Sequence, residues 1–455
     1  MSVQYQNIPE RPPEYNSLSN PDPPNVPLIM IPVRKEIRQV AERQKRNQVV
    51  KRYACVLFSV FLLFVLGFLV AHFLWVHLWK HDTESRNIQR HCKRRLVGYY
   101  SDWDDRNITG KQIEKLTHLV FIGVRMKADG KIEFESDERR VLFFNMKTKV
   151  RNMKSNVQVL FSTDYYSYNR ELVSLIMKES KTRKVWIDSI SSFILEQQLD
   201  GVEIYYRWPI TKEEKENFVF FVRELRYKLE RMEKLTRRHS PYIITMVTDS
   251  SLDSETFIHD LMKSVDFFSV ETDNFYSPTH PSEIVGPLSP LFSANDGESI
   301  DDAMKKLICK SREPSRFDIT LPFRGSYFEK VKHPMNTSDE LYRSVDLVDG
   351  QSQGALIAWS DLKNREFDFN KAIWHDESKT SYIWDEENQK LYTFDDARSL
   401  KEKVKYAVSR NLGGIAVREL EMDDNANTLL NAVTSIDTCL DSEKDDVKYD
   451  CENFN

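Results

Sequence analysis

From about Lys93 onward, short runs of apolar residues alternate with amphipathic stretches of helix length. A short apolar run is typical of a strand buried on both faces, and its alternation with helices favours a mostly parallel sheet. The predicted strands are Arg95–Ser101, His118–Val124, Val157–Ser162, Gly201–Tyr206, Tyr242–Val247, Phe267–Thr272, Phe317–Phe323 and Gly414–Leu420. The predicted helices between them are Lys184–Gln198, Glu214–Lys234, Ile300–Lys310 and Ala397–Arg410.

Eight strands spaced in this way over residues 93–436 predict an α/β fold, a (β/α)8 TIM barrel. A doubly wound open sheet is the structural alternative, because periodicity alone does not separate the two. The widest gap lies between the seventh and eighth strands, and its aromatic-rich residues, about 327–391, predict a small α+β insertion. The acidic residues 437–455 are expected to form a C-terminal tail.

Ahead of the barrel, residues 53–79 form a run of 27 residues with no Asp, Glu, Lys or Arg. About 20 apolar residues cross the hydrocarbon core, so the run predicts a transmembrane helix. Its depth in the chain and its length indicate a signal anchor rather than a cleaved signal peptide. The eight Lys and Arg within residues 34–52 favour a cytosolic N-terminus, and the basic residues of the predicted stalk, 80–92, weaken that bias.

Glycosylation sequons and cysteines agree with a type II single-pass protein whose barrel is lumenal or extracellular. The sequons begin at Asn107 and Asn336 and are usable only in the lumen. Four cysteines follow the apolar run, an even number that allows two disulfides in any of three pairings. They are Cys92, Cys309, Cys439 and Cys451.

Residues 1–33 are rich in Pro and Asn and have no apolar periodicity. Together with the basic residues that follow, they predict a disordered cytosolic tail, 1–52. Within it, Pro12-Pro13-Glu14-Tyr15 matches a WW-domain ligand, so a WW-domain protein is a candidate partner. The overlapping Tyr15-Asn16-Ser17-Leu18 also fits a tyrosine-based sorting signal, and both interpretations stay open.

Composition and general motifs exclude more than they establish. A formal net charge of −5 gives no reason to expect nucleic acid as a partner. The sequence has no Gly-x-Ser-x-Gly, Cys-x-x-Cys or His-Glu-x-x-His motif and no phosphate- or dinucleotide-binding glycine loop. The ten histidines are scattered without ligand spacing, so neither a metal site nor a cofactor is predicted.

The strongest functional signal is the segment Asp200-Gly201-Val202-Glu203-Ile204-Tyr205-Tyr206-Arg207-Trp208-Pro209. It resembles the fourth strand of glycoside hydrolase family 18 chitinases, Asp-Gly-φ-Asp-φ-Asp-Trp-Glu-Tyr-Pro, where φ is apolar. The segment from Arg95 to Trp103 is similar to the first strand of that family, and the segment from Gly413 to Asp424 to the eighth. The resemblance extends in register from about Lys93 to Ala432 and implies a family 18 barrel.

In that family, the last inward-facing Glu of the fourth strand protonates the glycosidic oxygen. The Asp two residues earlier orients the substrate's acetamido group, which is the nucleophile. Because alternate residues of a strand share a face, the inward positions here carry Glu203, Tyr205 and Arg207. Arginine has no proton to donate near neutral pH, and tyrosine is uncharged there. The resemblance therefore implies a pseudoenzyme without catalytic residues, with Arg207 in place of the catalytic Glu.

Other positions of the family's sugar site have also changed. The Met-x-Tyr-Asp of strand six corresponds to Glu271-Thr272-Asp273-Asn274, and the stacking Trp of strand eight to Arg418. The residues expected to line the former sugar site are Tyr100, Tyr205, Glu271, Asp273, Asn274 and Arg418. Buried charges persist only when they are paired, so Glu203, Glu271 and Asp273 opposite Arg207 and Arg418 favour an ion-pair network that fills the pocket. A pocket retuned for an anionic ligand is the competing interpretation.

Three functions follow from these residues. The first is a non-hydrolytic chitinase-like membrane protein that binds chitin or related N-acetylglucosamine glycans, similar to the membrane-anchored chitinase-like proteins of nematodes. The alternative is a protein-interaction scaffold with a plugged sugar site. The third is a residual glycosidase, which is disfavoured because loss of a positioned general acid typically costs about 10²–10⁴-fold in rate.

Overall fold

The computed structural model describes residues 66–67, 94–101, 103, 106–127, 129–163, 170–205, 211–250, 255–280, 282–293, 297–336, 339–364, 368–438 and 446–452. The predicted tail with its WW-domain ligand, the stalk, and all of the predicted membrane span except Leu66 and Gly67 lie outside these ranges. Within them, no helix is both long enough and apolar enough to cross a bilayer. The membrane anchor therefore stays a prediction.

Eight parallel strands close into a barrel, numbered here with the other described strands in chain order. They are β1 Arg95–Tyr100, β2 His118–Met126, β4 Gln158–Thr163, β5 Gly201–Tyr205, β6 Ile243–Thr248, β7 Phe267–Val270, β9 Phe317–Pro322 and β17 Gly414–Arg418. Neighbouring strands follow the order β1-β17-β9-β7-β6-β5-β4-β2, and pairing of β1 with β2 closes the ring. The predicted (β/α)8 barrel is confirmed, and the open doubly wound sheet is excluded.

Helices surround the barrel between its strands. They are α1 Gly110–Ile113, α2 Asp137–Met153, α3 Arg170–Lys178, α4 Ser180–Gln197, α5 Lys212–Thr236, α6 Glu255–Met262, α7 Ile300–Ser311, α8 Trp359–Asn364, α9 Ala397–Ser409 and α10 Thr428–Thr434. Short 3-10 helices cover Pro314–Arg316, Phe369–Lys371 and Leu420–Met422. The four predicted helices correspond to α4, α5, α7 and α9, with ends that differ by at most four residues.

Local sequence explains where the fourth barrel strand and the helix after it begin. Gly201 opens β5 beside β6, where a Cβ atom would lie 2.1 Å from the carbonyl oxygen of Ile243. Only glycine permits that approach, so the Asp-Gly pair fixes the amino end of β5. Helix α5 begins with a capping box, in which the Thr211 side chain accepts from the Glu214 amide and the Glu214 side chain accepts from the Thr211 amide.

Between β9 and β17, where the insertion was predicted, the chain contributes strands to two antiparallel sheets outside the barrel. One sheet consists of β10 Arg324–Phe328, β13 Gly354–Ala358, β14 Ile373–His375, β15 Thr380–Asp385 and β16 Lys390–Phe394. The other consists of β8 Ile284–Val285, β11 Val331–Asn336 and β12 Asp339–Val345. A short strand β3, Ile132–Phe134, pairs with β2 outside the barrel. Strand β8 belongs to the segment that follows β7, and it pairs with β12. The second sheet therefore combines strands of the insertion with a strand from the loop after β7.

The acidic C-terminal segment is attached to the barrel. Cys451 forms a disulfide with Cys309 at the end of α7, which is one of the pairings that the sequence left open. The Tyr449 hydroxyl lies 2.7 Å from the hydroxyl of Tyr406 on α9. Residues 446–452 are therefore part of the packed barrel. The other two candidate cysteines, Cys92 and Cys439, lie outside the described residues.

Candidate functional site

The fourth barrel strand places Glu203 inside the barrel. Glu203 is completely buried, and its Oε2 accepts a hydrogen bond of 2.6 Å from the hydroxyl of Tyr99 on β1. Burial raises the pKa of the Glu203 carboxyl to about 7, against the opposing effects of the Tyr99 hydroxyl and the Arg418 charge. Arg207, two positions beyond the end of β5, lies outside the described residues.

Tyr205, the next inward residue of β5, is held by Glu271. Its hydroxyl donates to Glu271 Oε1 over 2.6 Å, and the same oxygen lies 3.4 Å from Nη1 of Arg418. The Arg418 guanidinium stacks over the Tyr99 ring at 4.5 Å from its centroid. The side chains of Arg418 and Glu271 are only 10% and 6% exposed. One chain of contacts therefore crosses the barrel mouth from Glu203 to Tyr205.

A second charged group lies beside the first, and sequence reasoning predicted only one of its members. Arg324 Nη2 donates to Asp273 Oδ2 over 2.8 Å, and its Nη1 lies 3.3 Å from Glu419 Oε2. All three side chains are less than 9% exposed. Arg324 lies two residues after β9 and Glu419 lies directly after β17, at the carboxyl ends where the barrel site was expected. Their position just after predicted barrel strands is the feature of the sequence that could have identified both residues.

Glu421 adds a further buried carboxylate that the sequence did not single out. Its Oε1 accepts hydrogen bonds from the amide and the hydroxyl of Ser101, at 3.0 and 2.7 Å. Its Oε2 has no hydrogen-bond partner within the described part of the chain. Burial, with the nearby charge of Glu419, raises the pKa of Glu421 to about 8. The barrel mouth is therefore rich in carboxyl groups that are held out of water.

One of the residues predicted to line the site, Tyr100, faces away from it, and another, Asn274, is half-buried. Tyr100 packs edge-on against Phe121 in the layer between strands and helices, while its neighbour Tyr99 faces the barrel interior. The expectation for Tyr100 is corrected, because consecutive strand residues point to opposite faces. Asn274 is half-buried beside Asp273, and its Oδ1 has no hydrogen-bond partner within the described part of the chain.

Both predicted sequon asparagines are exposed to solvent. Asn107 precedes α1, and its Oδ1 lies 3.5 Å from the hydroxyl of Tyr100. Asn336 ends β11, and the remaining two residues of its sequon lie outside the described ranges. Within those ranges, no group of three or more His, Cys, Asp or Glu side chains is arranged to hold a metal ion.

Comparison with known proteins places these residues in a family. The chain is 21% identical to a protein named probable endochitinase of Caenorhabditis elegans over 326 residues, which cover 68% of this chain and 52% of that protein. It is 22% identical to the oviduct-specific glycoprotein of Mesocricetus auratus over 359 residues, 73% of this chain and 51% of that protein. The chain thus spans about half the length of these curated relatives.

Solved structures share the fold. A class V chitinase of Nicotiana tobaccum superimposes with a TM-score of 0.65 and 15% identity, covering 75% of this chain and 98% of that one. Human YKL-39 superimposes with a TM-score of 0.63 and 17% identity, covering 75% and 99%. The model of the family described as glycosyl hydrolases family 18 matches residues 95–423, which include all eight barrel strands and every described residue of the barrel mouth named above. The chain therefore belongs to glycosyl hydrolase family 18.

Proposed function

We propose that this protein is a non-hydrolytic member of its family whose former sugar site is closed by paired charges, and that it acts as a protein-interaction scaffold. The observation that carries the proposal is the chain of contacts that links Glu203, Tyr99, Arg418, Glu271 and Tyr205. Each of these side chains is almost completely buried and is engaged with another residue of the chain. A glycan would have to displace these contacts to enter.

The chemistry of the replaced residues supports the absence of hydrolysis. The sequence has arginine at 207, where the resemblance expects the general acid, and an arginine cannot protonate a leaving group near neutral pH. Tyr205 stands where an Asp would stabilise the charge that develops on the acetamido group, and its hydroxyl donates to Glu271 instead. Glu203 carries a pKa suited to an acid, but it is fully buried and lies four positions before residue 207, the place of the general acid.

A second candidate function is binding of chitin-type glycans without cleavage, and one observation favours it. Trp103, just past the end of β1, is 53% exposed. An exposed indole near a barrel mouth offers a sugar ring an apolar face to stack on. Human YKL-39 is described as a pseudo-chitinase with retained chitooligosaccharide binding properties. In this chain, such binding would use the rim of the barrel rather than its closed interior.

We further propose a single-pass type II membrane protein with residues 53–79 as its anchor. The uncharged run of residues 53–79 supports this arrangement. The disulfide between Cys309 and Cys451 and the exposed sequon residues Asn107 and Asn336 suit an oxidising compartment in which glycans are added. Endoglycosidase treatment of protein from a eukaryotic cell tests the orientation, since an unchanged electrophoretic mobility would contradict it.

Calorimetric titration of the full-length protein in detergent with chitin oligosaccharides tests the two functions. A closed scaffold gives no saturable heat at millimolar sugar and releases no reducing ends on prolonged incubation. Saturable binding that Trp103→Ala abolishes and Phe144→Ala preserves would establish the rim-binding alternative. Phe144 is a suitable control because it is an aromatic residue of α2 with 43% exposure. Hydrolysis at a rate above the uncatalysed reaction would overturn both.

A further inference from the structure

The opposite end of the barrel carries a cleft that the sugar site does not explain. It has a volume of about 440 Å³ and lies at the amino ends of β4 and β5. The C-terminal part of α2 and the loop before β6 form its walls. The charged groups around it are Lys147, Arg151, Lys154, Asp200 and Arg238. Because the candidate sugar site lies at the carboxyl ends of the strands, the two regions are separate.

The cations of this cleft are not neutralised by the protein. Lys147 Nζ donates to Gln197 Oε1 over 3.0 Å, and Arg151 Nη2 donates to Gln198 Oε1 over 2.9 Å, so both have neutral amide partners. Residues 139–163 contain no Asp or Glu. The carboxylate of Asp200 is already engaged by Arg238 and by the amide of Val159. Within the described ranges, three positive charges of the cleft therefore have no carboxylate partner.

The spacing of these charges indicates the shape of a ligand. Lys147, Arg151 and Lys154 follow one another at intervals of four and three residues, so they lie along one face of α2 and its C-cap. Seven residues of helix rise about 10 Å. A single phosphate or sulfate ion is too small to contact both ends of that row. The row suits a ligand that carries several anionic groups along a chain.

The rest of the lining decides between classes of anionic chain. Ser155, Asn156 and Gln158 provide hydroxyl and amide groups, which hydrogen-bond well to sugar hydroxyls. Among the residues that the structure describes, no aromatic side chain lines the cleft, so these residues offer no platform on which nucleic acid bases could stack. We propose that this cleft binds a linear sulfated polysaccharide, with Lys147, Arg151 and Lys154 contacting its sulfate groups and the neutral side chains contacting its sugar rings.

The proposal is tested by titrating the full-length protein in detergent with a heparin octasaccharide at about 0.15 M ionic strength, where the Debye length is about 8 Å. The triple variant Lys147→Gln, Arg151→Gln, Lys154→Gln is expected to weaken binding about tenfold or more, because sulfate contacts are charge-assisted. A matched triple with the same change in net charge, Lys181→Gln, Lys212→Gln, Lys401→Gln, alters exposed lysines away from the cleft. It is expected to change the Kd by less than about twofold, since distant exposed charges are screened.

Several results would overturn the proposal. Equal weakening by both triples would mean attraction by net charge alone, and an unsulfated octasaccharide that binds as tightly would remove the role of the sulfates. Duplex DNA of similar length that binds as tightly would mean a general polyanion surface, and full competition by equimolar inorganic sulfate would mean a single-ion site. If the triple variant does not fold, Lys147→Gln and Arg151→Gln singly should each weaken binding about threefold. Absence of any binding by the folded natural protein would end the idea.

Discussion

The two ends of the barrel bury charges in different ways. At the amino end, Asp266 and Asp318 each have an arginine of their own. Asp266 pairs with Arg226 and accepts from the Ile244 amide over 2.7 Å, and Asp318 receives two hydrogen bonds from Arg95 Nε and a third, of 2.7 Å, from its Nη2. Each of these carboxylates therefore has a dedicated cation. Both pairs lie near the amino ends of barrel strands, and each pair links two neighbouring elements of the fold.

At the mouth, carboxyl groups outnumber the cations that the structure describes. Five buried acids lie there, with two arginines among the described residues to pair with them. The acids are Glu203, Glu271, Asp273, Glu419 and Glu421, and the arginines are Arg418 and Arg324. A surplus of buried acid is tolerated only if some carboxyls hold their protons, which agrees with the raised pKa of Glu203 and Glu421. The amino-end carboxylates thus each have a separate cation, while the carboxyl groups of the mouth share two arginines.

The largest loss of stability is expected when Arg324 is removed. Arg324→Met leaves Asp273 and Glu419 buried without their cation, and we expect the free energy of unfolding to fall by about 3–5 kcal/mol. Arg95→Met at the amino end deprives only Asp318 of its partner and should cost less. Urea denaturation of both variants at neutral pH measures the difference. A larger loss for Arg95→Met would contradict the view that the mouth depends on shared cations.

Glu421 is expected to make the stability of the folded protein depend on pH. Its pKa is raised in the folded state from 4.5 to about 8, so the folded protein holds a proton that the unfolded chain releases. Stability from this group is present below about pH 4.5 and is lost as pH rises toward 8, by at most about 1.4 kcal/mol per pH unit. Glu421→Gln, which mimics the protonated acid, should be more stable than the natural protein at pH 8 and similar at pH 5. Urea midpoints across this range measure the effect, and parallel pH curves for the two proteins would refute it.

Removing the hydroxyl of Tyr99 is a smaller change to the same region. Tyr99→Phe keeps the ring beneath Arg418 but leaves Glu203 Oε2 without its donor, at an expected cost of about 1–3 kcal/mol at neutral pH. Tyr205→Phe is the matched control, because Glu271 keeps its contact with Arg418 and the loss should be smaller. Chemical denaturation ranks the two variants. A Tyr205→Phe variant less stable than Tyr99→Phe would show that the contact at Glu203 is the weaker one.

The sequence predicted the barrel strands to within two residues because a parallel barrel buries both faces of each strand, which appears as continuous apolar runs. It also brought Glu203, Tyr205 and Glu271 to one region, since inward residues near the carboxyl ends of barrel strands converge. The ion-pair partners of these side chains were harder to predict. Arg324 follows β9 by two residues, but nothing in the sequence says which way its side chain turns. Tyr100 was expected where Tyr99 lies because two adjacent tyrosines leave the phase of the strand undetermined.

The smallest effect is expected at an exposed ion pair, and it sets the scale for the others. Arg140 Nη2 lies 2.9 Å from Asp137 Oδ1 at the start of α2, with side chains 56% and 84% exposed. Water screens such a pair, so Arg140→Ala should change the free energy of unfolding by less than about 0.5 kcal/mol. The same urea measurement used for Arg324→Met gives the value. A loss comparable to that of Arg324→Met would mean that burial does not distinguish these charges, and the contrast between the mouth and the rest of the barrel would lose its physical basis.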